Sequence, residues 1–536
     1  MPSLANLAAA LFFATASCSS PTPGFDSEGQ DRLTGVTGSE RPITFASYVY
    51  AAPSASDQDI AAAIARQVKT ALGALRTPKV SLDDRNALHN VDASQWKRTT
   101  LSVVDPSNVN ATATKIVRVD FTYVDRAVVT NNLKNASTVS FTMLGGDYTL
   151  HADALKQNCS DDTTTAADSL WYHFDPSSAN CQSLIGNELN AITTERAQQK
   201  QDPAKVGPKE VARWFVPTTA KLGPIKALLT DYSPEYDRLY GIGTDKSQLV
   251  VYAFFGVDAD ETNPDDPLAQ EYIRFLRTLL IDQPNFKVTN TNPFAMLMDV
   301  WVDGQKLTAP DYATMFGWLL DKTGYPQSVG HDAGKIAQLR RGALANLAER
   351  WIYWDMPLTV SDANHAAKAM TVQVRSYFGY EDGSQDARQH AQWRYLEAFW
   401  HGDVFLYNGH SHFGHGPLEP TLYGPQNFND RYQIMMVNSC ISFNYYHEDF
   451  FGYKPGGTKN LDMIVNGLPS YVWGGGIVTA KLVTGLVSGK QPTYKEILGG
   501  MVLDTPWGEH GYDPMRVVDG ELDNVYSRTK SPLTLR

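Results

Sequence analysis

Cysteine is scarce in this chain: four in 536 residues, few enough that each must be accounted for separately. Positive charge is also short, with 46 Lys and Arg against 58 Asp and Glu and a net charge of −12. No basic stripe stands out, which excludes nucleic acid as a partner. Beyond the first residues no apolar run reaches the roughly 18 positions that a membrane span needs, so the body of the protein reads as soluble. Internal repeats are lacking too. Hydrophobic residues make up 43% and charged ones 19%, leaving little room for extensive disorder. At this length one core is too few, and two or three domains are expected.

The amino terminus reads as a targeting segment. Leu4 to Ala14 is apolar but too short to span a bilayer, and Thr15-Ala16-Ser17-Cys18 precedes a polar Ser19-Ser20-Pro21-Thr22-Pro23-Gly24 stretch. Small residues before a cysteine, followed by a tether, resemble a bacterial lipoprotein signal. That resemblance implies lipidation at Cys18 and a mature protein anchored to a membrane of the cell envelope, facing the periplasm or exterior. Residues 1–18 are then signal and 19–40 a flexible tether. An ordinary cleaved export signal is the simpler alternative. Cys159 and Cys181 lie in a Ser/Thr/Asp-rich stretch, and an oxidising compartment favours pairing them. Cys440 is left alone, as an inert buried thiol or a reactive one.

Two textures follow along the chain. Thr44 to Tyr50 alternates, as does Val117 to Tyr123, with Val117, Val119, Phe121 and Tyr123 on one face; Val139, Phe141 and Met143 repeat the pattern. Period two predicts a β-rich, antiparallel accessory domain over residues 41–150, followed by a connecting region over 151–245. From 246 to 536 the pattern becomes α/β. Leu249–Val257, Val372–Phe378, Val404–Tyr407, Ile434–Val437 and Ser470–Trp473 read as strands, most of them without a polar face. Helices are expected around Gln270–Ile281, along the Ile336 to Trp351 stripe, over Asp386–Trp400 with Trp393, Leu396 and Trp400 on one face, at Leu461–Val465, and over Ile477–Val487. Such alternation is what a mostly parallel sheet covered on both sides requires.

Functional groups in such sheets collect past the carboxyl ends of the strands. One strand runs into Asn408-Gly409-His410-Ser411-His412, and another into Asn438-Ser439-Cys440. If those strands are neighbours, an imidazole and a thiol meet and can share a proton. A hydrophobic strand ending in His, then one ending in a small residue plus Cys, resembles the caspase-like cysteine peptidases, a clan that includes gingipains, legumain and separase. By order of elements the gingipain branch is nearest, over roughly Val372 to Gly489. Ser411 stands where the family has Gly, and Asn438-Ser439-Cys440 where caspases have Gln-Ala-Cys. The resemblance implies a caspase-like carboxy-terminal domain that cleaves peptide bonds by acyl transfer. Cys440 is then the nucleophile, His410 the proton carrier, and the N–H groups of Ser411 and Cys440 the oxyanion donors. His412, Asn438 and Trp473 become pocket candidates, and a peptide or protein the substrate. No cofactor is expected.

Other readings compete for the same residues. His410, His412 and His415 form His-x-His-x-x-His, which could hold zinc for a metal-dependent hydrolase. A protein that keeps the fold and only binds partners, as a scaffold lipoprotein, is the non-catalytic alternative. Gly409-His410-Ser411-His412-Phe413 nearly spells a nucleophile elbow, but Phe413 fills the last glycine position and Pro417 and Pro420 oppose the helix that must follow. Gly474-Gly475-Gly476 reads as close backbone packing ahead of a phosphate cradle.

Overall fold

The apolar runs without a polar face form the middle of a sheet that is covered on both sides. The computed structural model describes residues 31–83, 92–108, 112–258, 260–289, 297–380, 385–503 and 514–536. Cys18 and the signal lie outside them. Within these residues the chain is a mixed α/β fold with several sheets. At the centre of the largest are five parallel strands, β1 (Gln248–Phe255), β2 (Lys368–Phe378), β3 (Val404–Asn408), β4 (Gln433–Asn438) and β5 (Leu461–Asn466). Their spatial order is β2-β1-β3-β4-β5. This is a doubly wound order, in which the sense of strand addition reverses between the parallel neighbours β1 and β3. Antiparallel strands extend the sheet on each side, Ile352–Ser361 against β2 and Arg516–Asp519 against β5.

Successive residues of these strands feed two different cores. In β1, Tyr252 and Phe254 join one, while Val251, Ala253 and Phe255 join the other. Helices α1 (Pro267–Asp282) and α3 (Gly475–Val487) cover the second core through residues such as Ile273 and Leu482. Helix α2 (Gln385–His401) covers the first. Each fully buried Phe, Leu or Ile contributes about 1.5–3 kcal/mol, which favours apolar residues on both faces of β1, β3 and β4, while β2 alternates through half-buried Thr371, Gln373 and Arg375.

A second sheet of seven strands takes in Gly38–Ala51, Thr114–Thr130 and Thr138–Leu144, with the Val119, Phe121 and Tyr123 face buried. Phe215–Leu222, from the stretch read as connection, lies between two of them. Residues 38–40, read as tether, already belong to its first strand. The helix Asp57–Ala74 starts at a Ser56/Asp59 capping box and packs on this sheet. The two sheets are not separate bodies with separate interiors: the buried residues of the second share one continuous core with a face of the first. Cys159 and Cys181 are disulfide-bonded within this amino-terminal part.

Several expectations change. Leu461–Asn466 is strand β5 rather than a helix, because buried parallel strands carry no alternation and three apolar residues fit either period. Ser470–Trp473 forms no strand; it is an irregular loop running into α3. In α2 the buried face is Tyr395, Ala398 and Phe399, leaving Trp393 71% and Trp400 49% exposed. The helix carrying Ile336 and Leu339 ends at Ala345, before Leu347 and Trp351.

One carboxyl sits inside the large sheet. Asp462 of β5 is fully buried and accepts hydrogen bonds from Tyr432, from Tyr494 at 2.5 Å and from Asn524 at 2.6 Å. Burial raises it from 3.8 to about 7. Between those values the folded chain keeps a proton that the unfolded chain has released, so the contribution of this group to stability is fully present below 3.8 and is lost as the pH rises towards 7. Asp31 and Glu40, raised to about 6 and about 7, act in the same direction. Asp462→Asn is expected to make the decline shallower, measured as urea unfolding free energy at pH 4 and pH 7.

Candidate active site

The crevice at the switch between β1 and β3 is where a doubly wound sheet leaves room for a ligand, since the connections there depart to opposite sides. Strands β3 and β4 are parallel neighbours, with Asn408 opposite Asn438. His410 and Cys440 therefore stand at equivalent positions, each two residues past the paired ends. Both line one small cavity of about 90 Å³, together with Asn438, Ser470, Tyr471 and Glu271. The thiol is partly buried and donates to the Ser470 carbonyl at 3.4 Å.

A third group completes the row. Asp258 follows the end of β1, and its Oδ1 lies 2.9 Å from His410 Nε2. The loop that carries it is anchored by Asp266, which accepts from the Asp258 and Asp260 amides at 3.4 and 3.2 Å and caps α1 through Leu268 and Ala269. The Gly256 N–H donates to the Asn408 carbonyl at 2.9 Å, fixing the end of β1 against that of β3. Three adjacent parallel strands thus deliver a carboxylate, an imidazole and a thiol to one edge of the sheet. The Asp258 and His410 side chains are 36% and 44% exposed, so water weakens the contact between them. Sequence reading passed over Asp258. The signal was its place just beyond an apolar strand, but only strand order shows that this strand adjoins the histidine.

The backbone around the dyad answers the question raised by the missing glycine. Ser411 has φ −77° and ψ −18°, a conformation open to any residue, so a β-carbon costs nothing there. The left-handed residues come next: His412, Phe413 and Gly414 have φ of 48°, 55° and 82°. Ile441, directly after the cysteine, is left-handed as well at 49°. Among the described residues the Ser411 and Cys440 N–H groups donate to no other backbone carbonyl.

The remaining candidates separate. Asn438 is buried, donates to Asn408 at 2.9 Å and accepts from Asn466 at 3.1 Å and Arg516 at 3.0 Å, so it fixes the floor of the cavity. Trp473 lines a larger cleft of about 540 Å³ between the two parts of the chain, with Asn438, Tyr471 and Arg76. It does not line the cavity of the dyad, where Tyr471 and Val472 stand instead. The His412 ring is 5.7 Å from that of His410. His415 is largely exposed, with Glu419 3.6 Å away. Among the described residues no group of three His, Cys, Asp or Glu side chains is arranged to hold a metal. The proline-bearing segment after His412 is anchored by buried Leu418, Tyr423 and Phe428. No family model matches the chain, and no curated protein or solved structure matches it either.

The triple glycine packs closely. A β-carbon on Gly476 would lie 1.9 Å from the Glu271 carbonyl oxygen, so α3 crosses α1 at a distance only glycine allows. Glu271 in turn accepts from the Gly476 N–H at 2.9 Å and pairs with Arg274. Gly476→Ala is expected to cost about 3 kcal/mol by overpacking. Gly485→Ala, whose β-carbon meets nothing nearer than 3.7 Å, should be neutral or mildly stabilising. Urea midpoints of the two variants measure the contrast.

Proposed function

We propose that the carboxy-terminal domain is a caspase-like cysteine peptidase that cleaves peptide bonds by acyl transfer. The alignment of Asp258, His410 and Cys440 at the ends of three adjacent parallel strands carries this reading. Asp258 fixes the imidazole with its Nε2–H towards the carboxylate, which leaves Nδ1 as the base. Nδ1 takes the thiol proton, and the Cys440 sulfur attacks the peptide carbonyl. The Ser411 and Cys440 amides stabilise the oxyanion, a contribution of about 3 kcal/mol per donor. His410 then returns the proton to the departing amine, and water resolves the thioester with the imidazole as base. The doubly wound strand order agrees with the caspase-like resemblance. The Cys159–Cys181 bond is consistent with export to an oxidising envelope compartment, where lipid on Cys18 would tether the chain.

A peptidyl electrophile offered at pH 7 is expected to label Cys440, located by mass spectrometry of the digested protein, and Cys440→Ala should abolish labelling and turnover of a peptide library. His410→Ala should lower turnover by about 10²- to 10⁴-fold. Asp258→Asn should cost at most about tenfold, because a half-exposed ion pair contributes about 1 kcal/mol or less. A thiol no more reactive than an ordinary exposed cysteine, with no peptide cleaved, would leave a scaffold protein. Turnover lost to a chelator and restored by zinc would favour the histidine cluster instead.

A further inference from the structure

Past the paired ends of β3, β4 and β5 no strand pairing orients the backbone, yet the amides read as oxyanion donors lie there. A trans peptide is planar, so the N–H of one residue points opposite to the carbonyl of the residue before it. Whatever holds the His410 carbonyl therefore aims the Ser411 N–H, and whatever holds the Ser439 carbonyl aims that of Cys440. Both carbonyls are held. Tyr407 of β3 is 1% exposed, and its hydroxyl donates to the His410 carbonyl at 2.7 Å. Asn466, fully buried at the end of β5, donates through Nδ2 to the Ser439 carbonyl at 3.1 Å. The direction of that amide is fixed independently. Its nitrogen also donates to Asn438 Oδ1, which accepts from Arg516, and a guanidinium can only donate. The peptide planes that follow are secured as well. Buried Tyr446 donates to the Ser411 carbonyl at 2.9 Å, and the Ile441 N–H donates to the Leu468 carbonyl at 3.2 Å.

We propose that Tyr407 and Asn466 are positioning residues that aim the Ser411 and Cys440 amides at the carbonyl oxygen of a bound substrate. The inference rests on the acyl-transfer reading of this site and deepens it. The direction at Cys440 follows from strand order, because β5 lies on the side of β4 away from β3. With the Ser439 carbonyl drawn towards β5, the Cys440 N–H points back towards the side that carries His410. Neither amide donates to a backbone carbonyl among the described residues, so each is left for a ligand. An oxyanion donor is effective when it is aimed before the charge develops, since no reorganisation is then needed during the reaction. Inside the sheet the ladder would supply that aim. In these two loops a phenol and a carboxamide supply it instead.

Two reagents separate the aiming of the amides from the reactivity of the thiol. With p-nitrophenyl acetate the sulfur bonds to the acetyl carbon through a tetrahedral oxyanion, and the thiol proton passes to His410. Nitrophenolate then leaves with the electron pair of the broken C–O bond. Iodoacetamide is attacked at a saturated carbon and releases iodide, and no oxyanion forms. The full chain, with its disulfide intact, is treated with each at pH 7, and the rate for Cys440→Ala is subtracted. Tyr407→Phe keeps the ring and removes only the oxygen. It is expected to slow acetylation about tenfold, less than the 10²- to 10³-fold of deleting a donor, and to leave alkylation unchanged. Asn466→Leu should lower the ratio of the two rates in the same way; where it does not fold, Tyr407→Phe decides alone. An unchanged ratio in Tyr407→Phe overturns the proposal. Equal slowing of both reactions overturns it too, because loosened packing would act on both. Acetylation of the wild type no faster than that of Cys440→Ala sinks acyl transfer itself, and the inference with it. A wild type that is acetylated, slowed in both reactions by His410→Ala and untouched by Tyr407→Phe keeps the dyad and loses the tyrosine.

Discussion

The parallel pairing of β3 with β4, in the register that sets Asn408 against Asn438, is the constraint on which the rest depends. A shift of one residue would turn every side chain of β4 to the opposite core and carry the cysteine away from the histidine. The register is held from several directions. Asn438 donates to Asn408, Thr479 of α3 donates to the same oxygen at 2.9 Å, and Asn466 and Arg516 hold the far side of Asn438. These polar groups are buried at the very ends of apolar strands, where a slipped pairing would leave them without partners at a cost of about 1–3 kcal/mol each. The chain thus fixes the geometry of its edge by the same means that it fixes the packing of its interior.

Much of this could be read from the residues. The apolar runs of β1, β3 and β4 have no polar face, and that property pointed to a covered parallel sheet, although β2 alternates through Thr371, Gln373 and Arg375. His410 and Cys440 emerged because each follows such a run directly. The failures have a common origin. Leu461, Ile464 and Val465 fit a helix stripe as well as a buried strand, since periodicity carries no information where both faces are apolar. In α2 the large indoles drew attention, yet Trp393 and Trp400 face solvent, and the smaller step of Ala398 and Phe399 meets the sheet. Asp258 was beyond reach for another reason: it depends on the spatial order of the strands, which local pattern does not specify.

Near the site the left-handed backbone falls on residues other than the one that the resemblance marks for glycine. Ser411 shows that the turn after the histidine needs no positive φ at its first residue. The strain falls one and two residues later, on His412 and Phe413, and each non-glycine residue held left-handed costs about 1–3 kcal/mol. At Phe413 an offset is visible. Its ring enters the cluster of Trp171, Tyr172 and His173, and aromatic contacts of this kind contribute about 0.5–1.5 kcal/mol each beyond the area they bury. The turn is held in its strained form by residues that belong to the other part of the molecule.

That coupling gives the amino-terminal part a physical role that its β-rich pattern did not disclose. Its sheet shares a core with one face of the large sheet, so the two cannot separate without exposing apolar surface from both. The disulfide between Cys159 and Cys181 braces the strand-like return at Ser160 and Phe174, the return positions the Leu170–His173 turn, and that turn supports Phe413. A path of direct contacts therefore runs from a covalent bond in one part to the residue three positions beyond His410 in the other. Parts joined this way cannot be treated as an α/β unit with an independent appendage, because the conformation of the loop that carries the histidine is maintained from outside the sheet that bears it.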